Sequence, residues 1–65
     1  MLLVVNGVEE QCACSTLAGL VSAKGLRTGS LVVELNGMII KQEHLQTTGL
    51  QDGDQVELLN FVGGG

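Results

Sequence analysis

Four groups of residues could do chemistry in this chain: Cys12 with Cys14, His44, Asp52 with Asp54, and the closing Gly63-Gly64-Gly65. Cys12 and Cys14 form a C-x-C. In an extended strand both side chains point to one face with Cα atoms roughly 6.8 Å apart, at the far limit for a disulfide. A zinc site needs further ligands at set spacings, and His44 with scattered carboxylates does not provide them, so no metal is expected. The pair reads as two small, half-buried thiols. His44 lies in the polar run Lys41-Gln42-Glu43-His44 with no nucleophile spaced beside it, which makes it a surface histidine. Asp52 and Asp54 flank Gly53. Paired carboxylates can run acid–base chemistry, but Asp-Gly is also what a tight turn requires, and the turn is the reading taken. The glycines fit neither phosphate-binding pattern, G-x-x-x-x-G-K-[ST] or G-x-G-x-x-G. No catalytic residue emerges. What remains is the carboxylate of Gly65, inert until activated, for example as a mixed anhydride with a nucleotide. Gly63 and Gly64 lack Cβ atoms, so they can enter an enzyme channel that side chains would block.

A chain of 65 residues makes one domain, expected over residues 1–62 with a flexible glycine tail at 63–65. Such a small domain buries only roughly 60% of the surface its unfolded chain exposes. With Phe61 as the only aromatic, the core must be built from Leu, Val and Ile. Little space is expected for a ligand pocket of roughly 300–1,000 Å³, which argues against a self-contained enzyme. Seven acidic residues against three basic ones give a net charge of −4. Lys24, Arg27 and Lys41 are too few and too scattered to form a basic stripe, so neither nucleic acid nor an anionic membrane surface is an expected partner. The opening Met1 to Val5 run is too short for a membrane span and lacks the positive flank of a signal peptide, so a cytoplasmic location is expected.

These groups must be positioned by short elements whose turns are explicit. Met1 to Val5 meets Asn6-Gly7 and returns as Val8 to Cys14; Leu31–Leu35 meets Asn36-Gly37 and returns as Met38–Ile40. Asn-Gly is the strongest short hairpin signal, because a type I′ turn needs positive φ at both central residues. Asp52-Gly53 turns into a last strand over Asp54 to Val62. Leu17, Leu20 and Val21 have helical spacing, with Ser15 or Thr16 as N-cap and Gly25 placed to end the helix. A second helical turn is expected over Glu43 to Thr48, ended by Gly49. The helix should cover Met1, Leu3, Val5, Leu31, Val33, Leu35, Val56 and Leu58. The opposite face then carries Leu2, Val4, Val32, Glu34, Glu57, Leu59 and Phe61, too apolar for a face meant only for water. Leu59, Phe61, Leu2, Val4 and Val32 are therefore candidates for a partner-docking face beside the tail.

Val5-Asn6-Gly7, Thr16-Leu17 with Leu20, Val33 to Gly37, Leu50 with Asp52-Gly53-Asp54 and Val56, and Val62-Gly63-Gly64-Gly65 run in this order through nearly the whole chain. In that arrangement the chain resembles the bacterial sulfur carriers of thiamine (thiazole) biosynthesis, which are small ubiquitin-like proteins. The resemblance implies an α+β, β-grasp fold: a mixed sheet of four or five strands with one main helix packed on one face. It also implies a carrier acted on by other enzymes. A ubiquitin-activating-like adenylyltransferase would use ATP to adenylate Gly65, with Gly63 and Gly64 in its channel. Sulfur from a cysteine desulfurase would convert the adenylate to a thiocarboxylate, and thiazole synthase would take that sulfur. The chain itself would bind no cofactor. After the second hairpin many relatives carry a proline and an arginine, where this chain reads Ile40-Lys41-Gln42. The same chemistry serves molybdopterin synthesis in sister carriers, and a β-grasp module with a non-covalent role is the alternative of a different class.

Overall fold

The computed structural model describes residues 1–60 apart from the Thr28 side chain. Its elements are β1 (Leu2–Val5), β2 (Val8–Gln11), α1 (Leu17–Ala23), β3 (Leu31–Leu35), β4 (Met38–Ile40) and β5 (Gln55–Asn60), with single 3₁₀ turns at Thr28–Ser30 and Gln42–His44. Both Asn-Gly pairs do what their chemistry predicts. Asn6 and Gly7 take φ of 50° and 82°, Asn36 and Gly37 51° and 87°, and each pair closes a two-residue hairpin. The five strands form one mixed sheet in the order β2-β1-β5-β3-β4. β5 lies in the centre, parallel to β1 and antiparallel to β3. The chain crosses one face of the sheet through α1 between β2 and β3, and this crossover lets β5 return parallel to β1.

α1 has only seven residues, too short to hold itself together in water, and both its ends are capped. The Thr16 hydroxyl accepts from Gly19 N–H at 3.2 Å as N-cap. Leu17 N–H donates to Thr48 O and Ala18 N–H to Leu45 O. The free donors of the first turn are thus all satisfied. At the other end Gly25 takes φ of 70°, its N–H donates to Ser22 O, and Leu26 N–H donates to Val21 O. That is a Schellman ending with a half-buried Leu26 packed on the core. Leu17, Leu20 and Val21 face inward against Leu3, Val5, Val33, Val56 and Leu58, and Leu45 and Leu50 close the side of the cluster. Among the described residues the buried core is entirely Leu and Val.

Several expectations need correction. β2 ends at Gln11 rather than Cys14. The second helical turn falls at Gln42–His44, before most of the segment expected to hold it. Gly49 does not end a helix; it bridges antiparallel to Thr16 and so ties the 45–50 segment to the start of α1. Met1 has the parity of the helix face but lies beyond the helix's reach and stays exposed. The start of the last strand moves from Asp54 to Gln55, and its expected end at Phe61 and Val62 lies outside the described residues.

Candidate functional site

The strand that leads to the glycine tail is β5, and it is the best anchored in the sheet. β1 stops at Val5, two positions short of Leu58 in the parallel register, which leaves the Leu58 backbone without a strand partner on that side. The Asn6 side chain fills the gap: its Oδ1 accepts from Leu58 N–H at 2.8 Å and its Nδ2 donates to Leu58 O at 3.4 Å. Asn36 does the same work at the start of β5, where its Oδ1 accepts from Gln55 N–H at 2.9 Å and its Nδ2 donates to Asp54 Oδ1 at 3.1 Å. At the far end the Ser30 hydroxyl donates to Asn60 Oδ1 at 3.2 Å. The carboxylates of the last turn are structural. Asp52 Oδ1 accepts from Leu2 N–H, Asp54 Oδ2 accepts from Gln51 N–H, and Gly53 at φ 90° completes the turn.

Strand register puts Leu2 and Val4 of β1, Leu59 of β5 and Val32 of β3 on the sheet face opposite α1. Leu59 sits directly across from Val32. Ile39 of β4 joins them, opposite Glu34 and 68% exposed. The face is not purely apolar: Glu34 and Glu57 stand directly opposite each other, and Glu9 pairs with Val4 at the edge. Like charges set across a strand pair repel, so this arrangement costs the isolated fold a little stability. The other candidates, Phe61, Gly63, Gly64 and Gly65, lie outside the described residues.

Elsewhere, a surface hollow of about 540 Å³ is lined by Ala18, Gln42, Glu43, Leu45 and Gln46. The hollow is an open surface depression and not an enclosed cavity, and it lies on the turn that caps α1. Among the described residues Glu43 is the only ionisable side chain lining it, with no nucleophile beside it. Cys12 and Cys14 are not free thiols but a disulfide. β2 ends before them, so their Cα atoms are 5.4 Å apart rather than at the extended-strand separation. Among the described residues no group of three or more His, Cys, Asp or Glu could hold a metal ion, and no helix is long and apolar enough to cross a membrane.

The ThiS family model matches residues 3–65, nearly the whole chain. The chain belongs to the ThiS family. It is similar to the thiamine biosynthesis protein ThiS of Geobacter metallireducens. The crystal structure of that protein matches at 36% identity and a TM-score of 0.84, with all of both chains covered. Its NMR solution structure matches at a TM-score of 0.81, covering all of this chain and 88% of that one. The fold is the β-grasp that these neighbours share. The chain is also 33% identical over 66 residues to a thiazole synthase of Paramagnetospirillum magneticum, and spans only 20% of that protein's length.

In this ThiS-family chain the residues that sequence reasoning missed are Asn6, Asn36 and Ile39. The two asparagines read as turn formers, and they are; their second role as clamps on β5 depends on partners 52 and 19 residues away. Asn6→Gly isolates that role, since glycine accepts the positive φ. It removes both side-chain bonds and leaves the part-buried Leu58 N–H and C=O unpaired. The expected loss is about 2 kcal/mol of stability. That corresponds to a fall of roughly 10 °C in the thermal midpoint for a domain this size. A midpoint unchanged within error would mean that water replaces the clamp at no cost.

Proposed function

We propose that this chain carries sulfur as a thiocarboxylate on Gly65 and does no catalysis of its own. A partner adenylyltransferase joins the Gly65 carboxylate to the α-phosphate of ATP and releases pyrophosphate. A persulfide charged by a cysteine desulfurase displaces AMP to give an acyl disulfide; a partner thiol reduces this to the thiocarboxylate and is left in a disulfide, and the thiocarboxylate passes its sulfur to thiazole synthase. The reading rests on the family match across residues 3–65, which includes the terminal glycines. The relationship to a longer thiazole synthase supports the same pathway.

The chain's own residues serve this chemistry by presentation. β5 is held by Asn6, Asn36 and the Ser30–Asn60 bond, so the tail leaves from a fixed point at the end of a central strand. The face opposite α1 offers Leu2, Val4, Val32, Ile39 and Leu59 as an apolar docking surface, with Phe61 continuing it in sequence. Glu34 and Glu57 add negative charge in its middle. A partner that fits would meet the apolar residues with its own and place a basic side chain between the two carboxylates, relieving their repulsion on binding. Gly63 and Gly64 occupy the channel that leads to the nucleotide, and ATP belongs to the partner.

The test is intact mass spectrometry of the chain after incubation with ATP, a ThiS-activating enzyme and a sulfur donor. The expected result is the mass change of one oxygen-for-sulfur exchange, mapped to Gly65. An unchanged mass with an enzyme that converts another ThiS protein in parallel would overturn the reading.

A further inference from the structure

The Cys12–Cys14 bridge takes no part in the proposed carrier chemistry. Cys12 is paired with Met1 through two backbone hydrogen bonds, at the start of β1. β5 runs parallel to β1, with Val5 level with Val56, and its last described residue lies four positions further on. At about 3.3 Å per residue the bridge and the exit of β5 stand roughly 25 Å apart, at opposite ends of the sheet.

The bridge is also a poor staple. In the loop-closure account a disulfide stabilises in proportion to the logarithm of the chain it encloses, and this one encloses Ala13 alone. Both flanks are already held by backbone bonds: Cys12 to Met1 on one side, and Ser15 O to Leu50 N–H on the other. The packing nonetheless fixes the position of Cys14. A Cβ on Gly19 would come within 3.0 Å of Cys14 Cβ, so a glycine in the middle of α1 is what lets the cysteine lie against the helix. Both cysteines are half-buried rather than enclosed, and they line a surface hollow of about 240 Å³ with Glu10, Gln11 and Lys24. Lys24 and Glu10 there form an ion pair at 2.7 Å. Finally, Cys14 N–H donates to Cys12 Sγ at 3.2 Å. A donor on that sulfur stabilises negative charge as the bond breaks.

We infer that Cys12–Cys14 is a redox-active disulfide that exchanges electrons with dithiol reductants, with Cys14 the sulfur attacked and Cys12 the sulfur that leaves. A thiolate of the reductant attacks Cys14 Sγ; the bridge breaks, a mixed disulfide forms on Cys14, and Cys12 departs as a thiolate that takes up a proton. The second thiol of the reductant then attacks its own sulfur in the mixed disulfide. Cys14 is released as a thiolate and protonated. Two electrons and two protons pass from the dithiol to the bridge, leaving two cysteine thiols and a cyclic oxidised reductant. Because the Met1–Cys12 and Ser15–Leu50 backbone bonds do not involve the bridge, the fold does not have to open for this exchange.

The experiment treats the folded, oxidised chain with dithiothreitol at neutral pH, quenches with iodoacetamide and reads the intact mass. The expected result is two added carbamidomethyl groups without denaturant. The far-ultraviolet circular dichroism should be unchanged, and the bridge should return on adding glutathione disulfide. A bridge that opens only in denaturant overturns the inference, as does a reduced chain that glutathione disulfide fails to close. The roles are tested by brief, limited alkylation of the reduced chain followed by peptide mapping. Cys12 should label first, and faster labelling of Cys14 overturns the assignment. Cys12→Ser should trap a stable glutathione adduct on Cys14, and the absence of that adduct counts against Cys14 as the attacked sulfur. The double Cys12→Ser, Cys14→Ser variant should form no adduct and keep its full rate of thiocarboxylate formation; a large loss of that rate would place the bridge in the carrier chemistry and overturn its independence.

Discussion

Extending the chain by even one residue beyond Gly65 is expected to abolish thiocarboxylate formation, down to the background of an assay without enzyme. The expectation is all-or-none for a chemical reason. Adenylation needs the Gly65 carboxylate to attack the α-phosphate of ATP; a further residue turns it into a peptide carbonyl and carries the terminal carboxylate roughly 3.5 Å past the position that a channel built for Gly65 holds against that phosphate. The extension leaves residues 1–60 and their core untouched, so circular dichroism and thermal midpoint should not move. If the added residue is preceded by a protease site that leaves Gly65 terminal after cleavage, cleavage should restore full activity. Gly64→Val poses the channel question separately, because it keeps the carboxylate and adds a branched side chain beside it. If the terminus must be threaded, the displacement of the reacting atoms should slow adenylation by roughly 100-fold. An extended chain that is still activated, or a Gly64→Val chain that reacts at the normal rate, would contradict the reading from two independent sides.

Much of the scaffold that presents this tail is written in local pattern. Asn6-Gly7 and Asn36-Gly37 specify two hairpins because few residue pairs tolerate positive φ in succession, and the structure has both. Leu17, Leu20, Val21 and Gly25 specify a helix and its end, and the capping bonds fall where the residue types place them. Strand parity separates Leu3, Val5, Val56 and Leu58 from Leu2, Val4 and Leu59, since a period of two leaves no freedom once the register is set. What was not legible depends on distant partners. No local signal tells that Asn6 will reach Leu58, or that the 45–50 segment will cap α1 through Leu45, Thr48 and Gly49 instead of forming a helix. The disulfide is not legible for a related reason. An extended C-x-C spans the limit of a bridge, and the decisive fact was that the strand ends at Gln11, a boundary that residue type alone does not set.

The docking face yields the sharpest comparison, because Met38 and Ile39 are neighbours on one strand, each 68% exposed, and point to opposite sides of the sheet. Ile39 shares its face with Glu34, Val32 and Leu59; Met38 pairs with Leu35 on the side of α1. Neither side chain holds the core, so a change at either should leave the fold intact. Ile39→Glu combined with Leu59→Glu is expected to weaken binding to the activating enzyme strongly. Burying a side chain of this size is worth about 1.5–3 kcal/mol, so losing two at an interface costs about 3–6 kcal/mol. That is a rise in Kd of roughly 100-fold or more. The added carboxylates beside Glu34 and Glu57 increase negative charge on the face, but they cannot supply the lost contact, and a basic partner group would recover only part of it. Met38→Glu adds one of those two charges, at the exposure of Ile39 and one residue away, and should change the Kd by less than about 2-fold, as expected for a surface substitution outside the contact. Glu57→Gln adds a further distinction: it should raise the stability of the free chain slightly, by relieving repulsion from Glu34, while weakening the complex through loss of its basic contact. The measurement is a titration of each folded variant against the activating enzyme, with the thermal midpoint recorded in parallel. Equal losses for Ile39→Glu and Met38→Glu would mean that charge anywhere on the chain is resisted and that the face opposite α1 has no special part in docking. A large loss confined to Ile39 and Leu59 makes that face the surface from which β5 delivers Gly65.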